Sequence, residues 1–221
     1  MTDRSQRCRA AALTLLLASA PLSAADADPS NTAADRLAAL LVPVKHLKAE
    51  FTQTVLGPQR ELVQSSEGYL RIARPQQFKW VLVSPYPQTI VTVDDRLYIY
   101  DPDLQQVQVK QLAAALTGTP ALVLLGTPRE IDAQFNVTEQ TTDGVAEFAL
   151  VPKDPDALYT EIRMTFSAKS LTRIEILDSL GQLTDVNFHN LEINGPQLPD
   201  EFEFAIPPDA DVIGDGAPKP A

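Results

Sequence analysis

The 221-residue sequence contains one cysteine, two histidines and one tryptophan. The cysteine, Cys8, precedes a short apolar stretch near the N-terminus. If that stretch is removed as a leader, no thiol is left for a disulfide, a thiolate metal site or a covalent nucleophile. His46 and His189 stand apart, and HExxH, CxxC and GxSxG patterns are all missing, so the usual sequence signs of zinc chemistry and serine hydrolysis do not occur. Both histidines are expected as solvated side chains, no metal or cofactor is expected, and the chain does not read as an enzyme. The acidic pairs Asp94/Asp95 and Asp101/Asp103 fall where reversals are expected. Asp favours turns through local hydrogen bonds, so these are read as turn formers rather than catalytic or calcium-binding groups.

Basic residues are also scarce, 18 against 29 acidic, for a formal net charge of −11. Such a surface repels nucleic acid and anionic lipid headgroups. No apolar run approaches the roughly 20 residues that a membrane-spanning helix needs; residues 10–20 come nearest, at about 11.

What is present begins with an export pattern. Arg4, Arg7 and Arg9 form a basic head, residues 10–20 an apolar core, and Ser23, Ala24 and Ala25 a small-residue cleavage region, which together read as a cleaved signal peptide over residues 1–25. Loss of Arg4, Arg7, Arg9 and Asp3 takes the formal net charge to −13. No cysteine follows the apolar core to take a lipid anchor. Residues 26–221 are therefore expected as one soluble exported domain, with a Pro- and Gly-rich tail loose from about residue 207.

Thr32, with Asp35 three positions on, is placed to cap a helix whose apolar face is Leu37, Leu40, Leu41 and Val44, and Pro43 should end it. From Phe51 the chain changes to short segments rich in Val, Ile, Thr and aromatics, separated by turn residues. The expected strands are 48–56, 62–74, 77–84, 88–94, 96–101, 104–110, 133–138, 145–151, 159–167, 171–178, 182–193 and 201–205, an antiparallel meander. One segment interrupts it. Residues 111–126 hold two apolar runs split at Gly118-Thr119-Pro120, a helix stop followed by a cap and an N1 proline. Leu112, Leu116, Leu122, Val123, Leu124 and Leu125 are too apolar for a free surface helix, and with the first helix they are expected to cover one face of a curved sheet, either as plain core or as a lid.

The runs RIARPQQFKW at 71–80, QTIVTVDDRLYIYDPDLQQVQV at 88–109 and TPALVLL at 119–125 occur in order. FTQTV at 51–55, FALVPK at 148–153, LDSLGQLTDVNFHN at 177–190 and FEFAIPPDADVI at 202–213 accompany them. Together they resemble the outer-membrane lipoprotein carrier family, the periplasmic chaperones of lipoprotein localisation in Gram-negative bacteria. Asp94-Asp95-Arg96 departs from the Asp-Gly often found at that turn in the family.

The resemblance implies an incomplete antiparallel β-barrel, mainly β with an α lid, over a hydrophobic cavity. It implies a carrier, monomeric in the family's manner, that takes lipoproteins from an inner-membrane ABC transporter and gives them to an outer-membrane receptor. It further implies that Arg74 latches the lid by bonding backbone near 115–119, and that Phe78 accepts cargo. By period two Phe78 and Trp80 share a face, as do Leu70, Ile72 and Arg74. Phe51, Tyr98 and Phe148, from the other matching runs, are expected to join them around the cavity, with Leu112, Leu116, Leu122 and Leu125 on the lid. Two other readings remain: a periplasmic lipid- or protein-sensing domain of an envelope stress regulator with a similar half-barrel, and a hydrolase, which the missing nucleophile disfavours.

Overall fold

The computed structural model describes residues 32–112, 124–125, 127–197 and 200–215. The expected leader, Leu116, Leu122 and the 115–119 backbone lie outside them.

Helix α1 (Ala33–Leu41) starts where Thr32 and Asp35 form a capping box, each side chain bonding the other's backbone. Its buried residues, Ala34, Leu37, Ala38 and Leu41, recur at helical spacing and make one apolar stripe. Among the described residues, eleven strands then run in order: β1 (His46–Leu56), β2 (Leu62–Ala73), β3 (Gln77–Ser84), β4 (Gln88–Val93), β5 (Arg96–Asp101), β6 (Gln106–Gln111), β7 (Phe135–Thr142), β8 (Val145–Pro152), β9 (Tyr159–Ser167), β10 (Ser170–Asp178) and β11 (Leu183–Ile193). A twelfth, β12 (Asp211–Gly214), closes the described chain, and helix α2 (Pro128–Gln134) leads into β7.

These twelve strands form one sheet in the order β12-β6-β5-β4-β3-β2-β1-β11-β10-β9-β8-β7. The sheet is open, since β12 and β7 at its two ends do not pair with each other. Register fixes its faces, because directly paired residues point the same way. Leu47 pairs with Ile72, Ala49 with Leu70 and Phe51 with Gly68. Ile72 pairs in turn with Phe78 and Leu70 with Trp80. Through β11, β10, β9 and β8 the same face continues as Phe188, Val186, Ile174, Met164 and Phe148. The apolar side chains among these, with Leu37 and Leu41 of α1, Leu124 and Leu125 from before α2 and Ile131 of α2, form one buried cluster, against which half-buried Trp80 packs. The sheet is curled around it. Each fully buried Leu, Ile or Phe contributes about 1.5–3 kcal/mol of burial free energy.

Gly68 is required by close approach: a Cβ there would lie 2.6 Å from Phe51 Cζ and 2.0 Å from the Val81 carbonyl oxygen. The missing side chain lets the Phe51 ring lie across β2.

The outer face of β3–β6 is covered too, and here three expectations are corrected. Tyr98 pairs with Val91 and Val109, which puts it on the outer face, opposite the cavity. There its ring lies 5.5 Å from Phe204. Residues 201–205 are not a strand; they cross the outer face with Phe202 buried and Glu201 ion-paired at 3.3 Å to both Lys48 and Arg71. The tail is not loose through residue 215, because β12 pairs parallel with β6 through Asp211 N–H to Gln105 O at 2.7 Å and Asp215 N–H to Val109 O at 2.9 Å. The free edge of β6 offers backbone groups that a following strand satisfies.

Candidate functional site

The inner face of β1–β3 carries an aromatic cluster. Phe51 stacks on Trp80 with ring centroids 4.1 Å apart, Phe78 lies 6.5 Å from Trp80 at a near-parallel 15°, and Phe188 meets both Phe51 and Trp80 edge-on at 6.3 Å. Sequence reasoning brought Phe51, Phe78, Trp80, Leu70 and Ile72 to one place, and the register puts them there. Phe148, also on the inner face, lies farther round the sheet in a T-shaped contact with Phe166 at 5.8 Å. Phe188 was missed, although its position in LTDVNFHN beside Val186 marked it by period two.

The start of β3 is held by a buried hydroxyl. Thr92 Oγ1 donates to Gln76 O at 2.7 Å and accepts from the Phe78 N–H at 2.8 Å, which fixes Phe78 at the end of the sheet where β2 turns into β3.

At that same end, Arg74, in the turn just after β2, reaches over the inner face. Its Nε donates to Val44 O at 3.0 Å, Nη1 to Leu125 O at 2.8 Å and Nη2 to Leu124 O at 2.8 Å. One guanidinium therefore ties together two separate covering segments, the stretch after α1 and the apolar stretch before α2. The described bonds lie past the 115–119 backbone expected as the partner. Burial pushes the Arg74 guanidinium below its ordinary value, which measures the water it gives up to be there. The planar fork of donors suits adjacent carbonyls as an ammonium does not.

Val44 O is itself positioned. Asn194, in left-handed conformation at φ 56°, accepts from Lys45 N–H at 2.7 Å and His46 N–H at 3.1 Å, and its side-chain amide donates to Pro43 O at 2.9 Å. These bonds clamp residues 43–46 so that the Val44 carbonyl faces Arg74.

Beneath the arginine lies an apolar cavity between α1, Leu124 and the inner face, lined by Leu47, Ile72, Phe166 and Leu171 among others. Its free space is about 30 Å³, room for a water or two. Leu112 is buried where β6 ends, with its N–H on Asp95 O at 2.8 Å, and Leu125 is buried in the core cluster. Helix α2, which sequence reasoning did not anticipate, adds Ile131 to that cluster, and its capping box of Thr127 and Glu130 with Pro128 at the start was its signal.

The ionisable groups near the inner face are few among the described residues. His189 is exposed, 3.7 Å from Glu50, and among the described residues no group of three His, Cys, Asp or Glu is placed to hold a metal. Tyr159, its phenol pushed up to about 12 by burial, packs on Phe135 with centroids 6.3 Å apart. The arrangement offers apolar surface under a cover held by backbone hydrogen bonds.

Known proteins share this sequence and fold. The profile of a family described as "Outer membrane lipoprotein carrier protein LolA" matches residues 43–205. Proteins named outer-membrane lipoprotein carrier protein are similar over most of the chain. The one from Chromohalobacter salexigens is 39% identical over 83% of this chain and 87% of its own, and the one from Hahella chejuensis 38% over 90% and 96%. The Pseudomonas aeruginosa protein is 33% identical over 90% and 97%. Among solved structures, an uncharacterised conserved protein from Thermus thermophilus shares the fold at a TM-score of 0.50 and 12% identity, over 82% of this chain and 96% of that one.

Proposed function

The chain belongs to the outer membrane lipoprotein carrier protein family, and on that premise we propose that it is a periplasmic chaperone, exported by residues 1–25. It accepts lipoproteins released from the inner membrane by an ABC transporter, shields their acyl chains against the inner face of the sheet, and passes them as a monomeric carrier to an outer-membrane receptor.

The physical need is large. At about 0.8 kcal/mol per buried methylene, three acyl chains in water cost tens of kcal/mol, so unassisted crossing is negligible. The observation that carries the reading is the triple engagement of Arg74 with Val44, Leu124 and Leu125 over an apolar cavity too small for any acyl chain. Loading then requires the cover to lift. Arg74 is the latch: its three bonds break as α1 and the Leu124–Leu125 stretch move off, and acyl chains replace their leucines against Phe51, Leu70, Ile72, Phe78 and Trp80. Phe78, held by Thr92 at the end where Arg74 sits, is the first aromatic that an entering chain meets. Because the apolar surface bared by the departing cover is buried again by the cargo, opening and loading nearly balance, and no energy source is needed in the carrier itself.

The test is transfer. Purified mature protein preloaded with labelled outer-membrane lipoprotein is mixed with receptor-bearing outer membranes, and label is followed into the membrane fraction. Transfer by the native protein, with a changed rate for Arg74→Leu, supports the reading; retention of all label on the native protein contradicts it.

A further inference from the structure

An apolar cavity accounts for acyl chains, but a lipoprotein also carries polypeptide, which has to leave the sheet where the chains enter. That place is the end where Arg74 and Phe78 sit. Over the rim from Arg74 lies a groove of about 420 Å³, against about 30 Å³ beneath the closed cover. Its size is that of a preformed ligand site. It is walled by the turn from Pro75 to Gln77, by the end of β4 from Thr92 to Asp94, and by Phe202 and Glu203 of the segment that crosses the outer face. The turn joins Arg74 to Phe78, so latch, entry point and groove share one stretch of backbone.

Both walls are held in place. Thr92, buried in β4, bonds Gln76 O at 2.7 Å and the Phe78 N–H at 2.8 Å. Opposite, Phe202 is buried, Glu201 is ion-paired to Lys48 and Arg71, and Lys79 Nζ donates to Glu203 O at 3.2 Å. The lining is mixed. Pro75 and Phe202 are apolar, Gln76 and Gln77 carry amides that suit a peptide backbone, and the charged side chains are Asp94 and Glu203, with no cation. Neither carboxylate enters an ion pair among the described residues. Asp94, at φ 53°, opens the two-residue turn between Val93 and Arg96, a left-handed position that glycine takes most readily and Asp tolerates. The turn thus carries a carboxylate where glycine would leave the groove without one.

We propose that this groove is a subsite for cargo polypeptide: the residues that follow the acylated end of a lipoprotein lie in it extended, their backbone on Gln76 and Gln77, and basic side chains there are favoured over acidic ones by Asp94 and Glu203. This deepens the carrier reading and rests on it, since it names what the protein grips of its cargo besides acyl chains. Two solvent-exposed charge contacts, attractive to a basic tail and repulsive to an acidic one, separate the two tails about tenfold.

The probe is a triacylated cysteinyl peptide with a tail of four serines, four lysines or four glutamates, held in phosphatidylcholine vesicles. The readout is soluble complex formed on adding the purified mature protein. The native protein should take up the lysine form about tenfold better than the glutamate form, with the serine form between. Asp94→Asn/Glu203→Gln should level the three while leaving uptake of the serine form at its native value. Gln76→Trp, which fills the groove from an exposed position with both carboxylates in place, should level them too. Asp103→Asn/Asp156→Asn, which removes two exposed acids from turns at the opposite end of the sheet, should keep the full ranking and so separates the groove from the overall negative charge. Equal uptake of the three forms by the native protein, a ranking undiminished in either groove variant, or one lost in the remote variant overturns the proposal, while uptake of the serine form leaves carriage intact. No uptake of any form overturns carriage and the proposal together.

Discussion

Replacing Arg74 with leucine removes three charge-assisted hydrogen bonds at 2.8–3.0 Å and leaves an apolar side chain of smaller reach. A desolvated bond of this kind contributes about 1.5–3 kcal/mol. Arg74 is only half-buried and the three carbonyls regain water when the cover lifts, so about 1 kcal/mol per bond is the appropriate scale. The guanidinium's own desolvation, evident in its lowered pKa, offsets part of that sum. A net of about 2 kcal/mol remains for the closed state, roughly a 30-fold change in the ratio of closed to open molecules. The assay is stopped-flow loading of a dye that fluoresces in apolar surroundings, with near-saturating variant and native protein compared. Arg74→Leu should load roughly 30-fold faster with little loss of melting temperature, and Arg74→Lys should fall between, because an ammonium cannot fork onto three carbonyls. Native-rate loading by Arg74→Leu would refute the latch.

Other consequences follow from the same geometry. Gly68→Ala drives a methyl into Phe51 and the Val81 carbonyl, so chemical denaturation should show a loss of about 1–3 kcal/mol. Asn194→Ala frees residues 43–46 and should raise the dye-loading rate in the same direction as Arg74→Leu but by less, since two of the three latch bonds persist. Trp80, the single tryptophan, sits between Phe51 and Phe78; its emission should change when an amphiphile loads, and an unchanged spectrum at saturation would mean that cargo does not reach the aromatic cluster. The capping boxes hold Asp35 and Glu130 below their ordinary carboxylate values, chiefly through hydrogen bonds with Thr32 and Thr127. A carboxylate whose folded value is lowered stabilises above its unfolded pKa and loses that contribution as pH falls through the folded one. The melting-temperature gap between native protein and Thr127→Ala should therefore narrow below about pH 4.

The strands were legible because turn chemistry punctuates them: Asp101-Pro102-Asp103, Asp143-Gly144 and the stretch from Asp178 to Gly181 leave the chain few other places to reverse. Helix α1 was legible from Thr32 and Asp35, whose mutual bonding needs only local spacing. Alternation also placed Phe78 with Trp80 and Leu70 with Ile72, but it cannot say which face of a strand is inner. In β5 both faces are covered, so Tyr98 looked as suitable for the cavity as Leu97 or Ile99, and only the register with Val91 decides. The C-terminal Phe202-Glu203-Phe204 mimics a strand while serving as a cover for the outer face. Pro207 and Pro208 made the following residues look loose, although Val212 and Ile213 had an unpaired edge of β6 to join. The partners of Arg74 lie 30 to 51 residues away in sequence. No local signal encodes contacts of that span; they come from how the covering segments pack.

Carriage stands or falls on whether this protein lifts lipoproteins out of a membrane. Spheroplasts of a Gram-negative host carrying labelled outer-membrane lipoprotein are incubated with the purified mature protein, and the supernatant is fractionated by size. A soluble one-to-one complex of label and carrier, formed in proportion to added protein, is the predicted result; label that stays in the membrane at every concentration of folded protein would contradict it.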